Sequence, residues 1–137
     1  MSKVRILVVD DTPLFRHVVT ELFAQESDFE VVGSAENGRE ALTRIHLLDP
    51  DLVILDVEMP VMNGWETLQA IQLSYPDLTV IIFSSVNKER DLATTKALSL
   101  GACDFVPKPG NLENQESAWQ YLRENLLSKV KLHTKRT

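Results

Sequence analysis

The sequence has a single cysteine and no long apolar run. With Cys103 as the sole cysteine among 137 residues, no disulfide can form within the chain, and nothing points to an oxidising compartment. No stretch approaches the roughly 20 consecutive apolar residues that span a bilayer. The apolar run that follows Met1 is too short for a signal peptide and ends in two aspartates. We therefore expect a cytoplasmic protein that does not associate with a membrane.

The chain also lacks an excess of positive charge. It carries 14 Lys and Arg against 20 Asp and Glu, a net charge of −6, whereas nucleic-acid affinity depends on clustered basic residues. Its one basic cluster, at 129–136, is more typical of a solvated helix end or a linker. We expect no binding of nucleic acid by this chain. With 44% hydrophobic and 25% charged residues, it has the composition of a globular domain that folds by itself.

Five short apolar runs alternate with five segments whose apolar residues recur at helical spacing. Such β-branched runs are typical of strands covered on both faces, and they lie at residues 4–9, 29–35, 52–55, 80–83 and 104–106. Turn and capping residues separate the segments, namely Thr12-Pro13, Asn37-Gly38, Asp49-Pro50, Asn63-Gly64, Tyr75-Pro76 and Gly101. This alternation predicts an α/β fold, a (βα)5 doubly wound five-stranded parallel sheet with helices on both faces.

Polar residues follow four of the predicted strands at their carboxyl ends. They are Asp10 and Asp11 after the first strand, Asp56 after the third, Ser84 and Ser85 after the fourth, and Lys108 after the fifth. Ligands of open α/β sheets bind outside the carboxyl ends of the strands, so we expect these residues to meet in one crevice. A single aspartate after a strand is more often an N-cap or turn residue. It is the combination that indicates a functional site.

The combined residues have the chemistry of a metal-assisted phosphoryl site. Crowded carboxylates raise one another's pKa unless a cation offsets them, and an all-oxygen ligand set suits Mg²⁺, the cofactor that we predict. Lys108 would contact one phosphoryl oxygen as a point charge, and Ser84 would donate a hydrogen bond to another. Asp56 is the predicted nucleophile. Its phosphorylation would give an acyl phosphate, which is a hydrolysable switch.

In their order along the chain, these motifs resemble the receiver domains of two-component response regulators. The matching runs are residues 8–11, 55–64, 84–85, 101–105 and 106–109. The resemblance covers residues 3–131, so we expect a receiver domain over 1–131, with 132–137 as a basic tail or the start of an interdomain linker. It implies a flavodoxin-like, CheY-like sheet in the order 2-1-3-4-5. It also implies a histidine kinase as phosphodonor.

The resemblance implies a role for each residue of the site. Asp56 would be the phosphoacceptor, with Lys108 and Ser84 in contact with the phosphoryl group. Mg²⁺ would be bound by a set of four residues: directly by Asp11, Asp56 and the backbone carbonyl of Glu58, and through water by Asp10.

The resemblance also implies a switch between Ser84 and Phe105. On phosphorylation the Ser84 hydroxyl would move toward the phosphoryl group and the Phe105 ring would turn inward. The family commonly has tyrosine at the position of Phe105, so a partner contact through a phenolic hydroxyl is not available here. The bond between Lys108 and Pro109 corresponds to a cis peptide in the family.

Residues 82–86 and 97–110 resemble the receiver half of chemotaxis protein-glutamate methylesterases. In that family, CheB, a helical linker and a hydrolase domain with a serine triad follow, and phosphorylation relieves inhibition by the receiver. The kinase would then be CheA-like, and the output domain or target would contact the fourth helix, fifth strand and fifth helix. Nothing in this chain could form the hydrolase, so we expect no enzyme activity beyond self-phosphorylation from small donors and self-dephosphorylation. The chain is either an excised regulatory half or a free-standing receiver that binds its target noncovalently.

Two functions of other classes share parts of this pattern. An aspartyl-phosphate phosphatase of the haloacid dehalogenase type needs a second acid two residues after its nucleophile, where Glu58 stands, but the acid pair follows a different strand and a cap insertion is lacking. A flavodoxin-like cofactor binder has a phosphate loop after its first strand, where Asp10 and Asp11 would repel the phosphate.

Other residues that often carry function are interpreted as structural. His17, His46 and His133 lack metal-ligand spacing, Trp65 and Trp119 are expected to be core or interface residues, and Cys103 is expected to be a small buried residue.

Overall fold

One sheet of five parallel strands organises the molecule, and a computed structural model describes residues 2–85, 90–110 and 115–134. The strands are β1 (Val4–Val9), β2 (Phe29–Ala35), β3 (Leu52–Leu55), β4 (Thr79–Ser84) and β5 (Asp104–Pro107). The helices are α1 (Pro13–Ala24), α2 (Gly38–Leu48), α3 (Gly64–Ser74), α4 (Arg90–Ser99), α5 (Gln115–Leu122) and α6 (Ser128–His133). The sheet order is β2-β1-β3-β4-β5, which confirms the predicted fold class and strand order.

The sheet separates two apolar cores. Alternate residues of each strand enter opposite cores, which explains why the strands are apolar almost without interruption. On one face, α1 and the C-terminal helices pack on the sheet through Val19, Leu22, Phe23, Leu122, Leu126 and Val130. On the other face, α2, α3 and α4 pack through Ala41, Ile45, Leu68, Ile71 and Ala97.

Capping residues fix the helices that start near the carboxyl ends of the strands. Asn37 accepts a hydrogen bond from the Glu40 N–H, and Asn63 forms a capping box with Glu66. Thr12 occupies the N-cap position of α1, as predicted, but its hydroxyl donates to Asp11 instead of capping the helix. The capping box at Asn63 also fixes the end of the loop that leads from β3 into α3.

The C-terminal helix departs from the single regular helix that the sequence predicts. A π-helical segment, Arg123–Leu127, joins α5 to α6, and the backbone at Leu122 and Leu127 stays helical. Lys129 and His133 contact Asp104 at the start of β5, at 3.4 and 3.0 Å. These contacts hold the end of the helix against the sheet.

Two further expectations from the sequence concern the burial of Cys103 and the possibility of a membrane-spanning helix. Cys103 is exposed, so its interpretation as a buried residue is wrong. It lies just before β5, where its backbone N–H donates to the Val80 carbonyl at 2.8 Å. None of the helices in the described ranges is long and apolar enough to cross a membrane.

Candidate functional site

Three carboxylates meet at the carboxyl edge of the sheet. β1 and β3 are neighbours with Val9 opposite Leu55, so the residues that follow them, Asp10 and Asp56, are brought side by side. Oxygen atoms of Asp10, Asp11 and Asp56 lie within 4.8 Å of one another. Asp10 and Asp56 are 2% and 4% exposed, whereas Asp11 is exposed to solvent. The structure thus brings together the acidic cluster that the sequence predicts.

The ammonium of Lys108 bridges the two buried carboxylates. Its Nζ lies 2.8 Å from Asp10 Oδ2 and 3.2 Å from Asp56 Oδ2, and its side chain is 5% exposed. In the described ranges Lys108 alone forms an ion pair with these two residues, so three carboxylates, counting Asp11, face one ammonium. The site therefore retains a surplus of negative charge that a further cation would offset.

Both oxygens of the Asp56 carboxylate have partners. Ser84 Oγ donates to Asp56 Oδ1 at 2.7 Å, and the Val57 N–H donates to the same oxygen at 2.8 Å. Lys108 contacts the second oxygen. Because β4 and β5 are adjacent, the Lys108 N–H also donates to the Ser84 carbonyl at 3.0 Å. Ser84 and Lys108 thus form one wall of the site, with Asp56 fixed against it.

The surroundings of Asp56 disfavour its charged form. Burial raises the pKa of Asp56 from 3.8 to about 6, the nearby charge of Asp10 adds to the rise, and Lys108 and Ser84 oppose it. At neutral pH the group is still a carboxylate, the form that a nucleophile needs. Additional positive charge nearby would stabilise this carboxylate.

Backbone contacts hold Asp10, and one residue that does so was not singled out from the sequence. The Thr12 N–H donates to Asp10 Oδ1 at 2.9 Å, and Arg16 Nη1 donates to the Asp10 carbonyl at 2.7 Å. Arg16 also lies 3.9 Å from Glu36 in the loop before α2. The contact of Arg16 with Asp10 has one signal in the sequence: an arginine stands one turn into the helix that follows the acidic pair.

A tight loop connects Asp56 to α3. A Cβ on Gly64 would lie 2.2 Å from the Asp56 carbonyl oxygen, so only glycine allows this close approach. Val61 has a φ of 67°, and the Met62 N–H donates to the Pro60 carbonyl at 2.7 Å, a strained three-residue turn.

Two residues with predicted roles lie beside this cluster. Glu58, in the same loop, has an exposed side chain, and its predicted ligand atom is the backbone carbonyl. Phe105, on β5, is buried in the core formed with α2, α3 and α4. The metal-binding role of Glu58 and the switching role of Phe105 stay predictions.

Two further observations at Lys108 were not expected. The described residues contain no cis peptide bond, so the bond between Lys108 and Pro109 differs from the cis peptide that the resemblance implies at this position. The Lys108 ammonium also lies 4.4 Å from the centroid of the Phe15 ring. The sequence indicated Phe15 only as part of the apolar face of α1, because helical spacing does not reveal contacts with a residue 93 positions away.

A protein-family model, the response regulator receiver domain, matches residues 6–120. The chain belongs to this family. Receiver domains are the switches of two-component signalling; they accept a phosphoryl group from histidine kinases and bind Mg²⁺ at an acidic pocket. This family membership favours the receiver interpretation over the phosphatase and the cofactor binder that share part of the pattern.

The curated relatives are protein-glutamate methylesterases/protein-glutamine glutaminases. One from Trichodesmium erythraeum (strain IMS101) is 42% identical over 132 residues, which are 96% of this chain and 38% of the relative. One from Bacillus subtilis (strain 168) is 46% identical over 106 residues, 77% of this chain and 29% of the relative. The chain spans about a third of the length of the curated relatives that it matches.

Solved structures agree with the fold, and one of them supports the subtype. The response regulator domain of Thermotoga maritima CheB is 35% identical with a TM-score of 0.84, and the match covers 95% of each chain. A chain from the CheX–CheY–BeF3–Mg²⁺ complex of Borrelia burgdorferi is 29% identical with a TM-score of 0.71, covering 88% of this chain and 87% of that one. The protein is therefore a receiver domain of the CheB type.

Proposed function

We propose that this receiver accepts a phosphoryl group on Asp56 from a histidine kinase, with Mg²⁺ bound beside it. One observation carries the proposal: a buried Asp56 is held by Ser84 and Lys108 next to two further carboxylates. The nucleophile, a hydrogen-bond donor, a cation and an acidic ligand set are thus in one place. This is the set of groups that phosphoryl transfer to a carboxylate requires.

The donor set fits Mg²⁺. It consists of oxygen atoms from hard carboxylates, and its surplus negative charge is not offset by Lys108. We infer that Asp11, Asp56 and the Glu58 carbonyl bind the ion directly and that Asp10 binds it through water. When bound, Mg²⁺ would supply positive charge for the oxygens of the phosphoryl group.

In the proposed reaction an Asp56 carboxylate oxygen forms a bond to phosphorus while the bond from phosphorus to the kinase imidazole breaks. The bonding electrons return to the imidazole nitrogen. Lys108 offsets charge on a phosphoryl oxygen, and Ser84 turns its hydroxyl from Asp56 Oδ1 to another phosphoryl oxygen. Water later attacks phosphorus, which releases phosphate and restores the carboxylate.

The proposed output passes from Ser84 to Phe105. The two residues lie on adjacent strands, with Ile82 opposite Phe105 and Ser84 opposite Pro107. Withdrawal of the Ser84 hydroxyl toward the phosphoryl group would open space into which the Phe105 ring turns. The signal would then reach the surface formed by α4, β5 and α5.

We infer that the parent protein is a chemotaxis methylesterase whose kinase is CheA-like. The match covers 38% and 32% of two of these relatives, so most of each relative lies outside it. The C-terminal helix of this chain runs to His133, and the proposed linker at 132–137 overlaps its end. The methylesterase chemistry would reside in that additional chain, so the receiver itself would be a regulator and not a methylesterase. It would act in the cytoplasm, where histidine kinases use ATP, and without binding nucleic acid.

The proposal is tested with small phosphodonors. The protein is incubated with Mg²⁺ and acetyl phosphate, the acyl phosphate is trapped by borohydride reduction, and the modified peptide is identified by mass spectrometry. We expect one modification, at Asp56, and none in the Asp56→Ala variant or without Mg²⁺. Modification of the variant to the same extent as the parent would show that the acceptor lies elsewhere.

A further inference from the structure

The Lys108 ammonium has an aromatic side as well as an acidic side. Its Nζ lies 4.4 Å from the centroid of the Phe15 ring and 5.9 Å from that of Phe83. Both distances are within the range of cation–π attraction, which is strongest where the cation is removed from water. The Lys108 side chain is buried, so these contacts act in that stronger regime. On the opposite side the ammonium contacts Asp10 and Asp56.

The orientation of the Phe15 ring is fixed by the core. Phe15, in the first turn of α1, meets Phe83 edge to face, with ring centroids 5.7 Å apart and an interplanar angle of 82°. Phe83 is fully buried on β4 and directly precedes Ser84. An edge-to-face pair has a preferred geometry and resists rotation of either ring. The orientation of the Phe15 ring next to Lys108 is therefore fixed by Phe83, which lies on the same strand as Ser84.

The two sides of Lys108 differ in what would happen to them during phosphorylation. Asp10 and Asp56 are the carboxylates that, under the proposed function, also interact with Mg²⁺ and with the phosphoryl group. Each carboxylate would then also interact with another cation, which weakens its attraction for the Lys108 ammonium. The rings of Phe15 and Phe83 offer no oxygen ligands to Mg²⁺, so their contact with Lys108 does not compete with the metal.

We propose that Phe15 is a positioning residue for phosphoryl transfer: its ring, oriented by Phe83, holds the Lys108 ammonium at the phosphoryl position while the carboxylates interact with Mg²⁺. This inference rests on the proposed function and adds to it a residue on α1. It assigns Phe15 a role through Lys108 and not through direct contact with the phosphoryl group.

The test compares variants that remove the ring with one that keeps it. Phe15→Leu and Phe15→Met retain apolar volume without an aromatic face, and Phe15→Tyr retains the face. Phe29→Leu is a matched control, because Phe29 belongs to the same core and pairs edge to face with Phe23 at 5.4 Å. For each protein, titrations measure the affinity for Mg²⁺ alone and for beryllofluoride at saturating Mg²⁺, and urea unfolding measures stability.

We expect the Leu and Met variants to bind beryllofluoride more weakly than the parent, by several-fold and by no more than the roughly thirtyfold that one desolvated cation–π contact supplies. Phe15→Tyr should stay close to the parent. Mg²⁺ affinity alone should not weaken in any of the three variants, because the metal ligands are untouched. Phe29→Leu should lose stability but keep the parent's affinity for beryllofluoride.

Three results would overturn the positioning role. The first is parental beryllofluoride affinity in both Phe15→Leu and Phe15→Met. The second is an equal loss in Phe29→Leu, which would point to general loosening of the core. The third is a parallel fall in Mg²⁺ affinity, which would point to displaced metal ligands. A parent protein that itself fails to bind beryllofluoride would instead overturn the proposed function, and the role of Phe15 with it.

Discussion

The two ends of β5 carry opposite kinds of charge cluster. Just beyond its carboxyl end, Lys108 is one buried ammonium among the carboxylates of Asp10, Asp11 and Asp56. At its start, Asp104 is one partly buried carboxylate between Lys129 and His133. Negative charge is in excess at the first end and is well matched at the second.

The pKa values of the two aspartates reflect this difference. Burial raises the pKa of Asp56 to about 6. Burial acts in the same direction on Asp104, but hydrogen bonds from His133 and the Phe105 N–H, together with Lys129, lower its pKa below the ordinary value. The Asp104 cluster is therefore suited to hold the C-terminal helix in place, whereas the Asp56 cluster is suited to take up another cation.

The largest effect is expected from removing the cation at each end. Lys108→Met leaves Asp10 and Asp56 buried without a counter-charge, and breaking a buried pair in this way costs about 3 kcal/mol of unfolding free energy. Lys129→Met removes a surface ion pair and should cost less than about 1 kcal/mol. Urea unfolding at pH 7 measures both values. Equal losses in the two variants would contradict the comparison.

Neutralising the aspartates should change stability in opposite directions. With its pKa raised to about 6, folded Asp56 binds a proton more tightly than the unfolded chain does, so its ionisation lowers stability as the pH rises from 3.8 to 6. Asp56→Asn should therefore stabilise the fold by up to about 3 kcal/mol above pH 6, and by nothing below pH 3.8.

At Asp104 the sign is reversed. Because its pKa is lowered, its contribution is fully present above its ordinary pKa of 3.8 and is lost as the pH falls through the lowered value. Solvent screens this partly exposed group, so Asp104→Asn should cost less than about 1 kcal/mol at pH 7. Unfolding curves recorded between pH 3 and pH 8 test both variants. A destabilised Asp56→Asn at pH 7 would refute the proposed excess of negative charge.

Binding of Mg²⁺ should depend on pH through Asp56. The ion requires the deprotonated carboxylate, whose pKa is raised to about 6. Affinity should be constant above pH 7 and fall by up to about tenfold for each pH unit below 6. Calorimetric titration at several pH values measures this dependence. An affinity that is the same at pH 5 and pH 7 would mean that Asp56 is not a ligand.

A smaller effect is expected from the backbone at two non-glycine residues with positive φ, Val61 beside the site and Asp49 at the end of α2. Aspartate tolerates this conformation, but a β-branched residue does not. Val61→Asn should stabilise the protein by about 1 kcal/mol, because the exposed Val61 side chain contributes little packing. Asp49→Asn should be close to neutral. Thermal unfolding compares them, and a destabilised Val61→Asn would show that the turn is not strained.

Much of the fold and of the acidic cluster could be predicted from the sequence. The strands are short apolar runs with turn residues at both ends, and parallel strands bring their carboxyl ends to one edge. Asp10, Asp56, Ser84 and Lys108 were therefore predicted to meet without knowledge of any side-chain contact. The same rule predicts where the crevice lies, but it does not predict which side chains form hydrogen bonds or ion pairs there.

Features that depend on side-chain direction or on backbone detail were missed. The contact of Phe15 with Lys108 joins the first helix to the end of the last strand, and helical periodicity marks Phe15 only as apolar. The π-helical segment at Arg123–Leu127 leaves the apolar spacing close to that of a regular helix. The exposure of Cys103 depends on the few residues between α4 and β5, where neither strand nor helix periodicity applies.

The most direct test of the central claim is the coupling between Mg²⁺ and beryllofluoride. If the carboxylate cluster and Asp56 form one site, beryllofluoride should raise the affinity for Mg²⁺, and Mg²⁺ should raise the affinity for beryllofluoride by the same factor. Calorimetric titration of each ligand in the absence and presence of the other gives both factors. We predict strong coupling in the parent and none in Asp56→Asn. Undiminished coupling in Asp56→Asn, or its absence in the parent, would contradict the assignment of Asp56 as the phosphoacceptor.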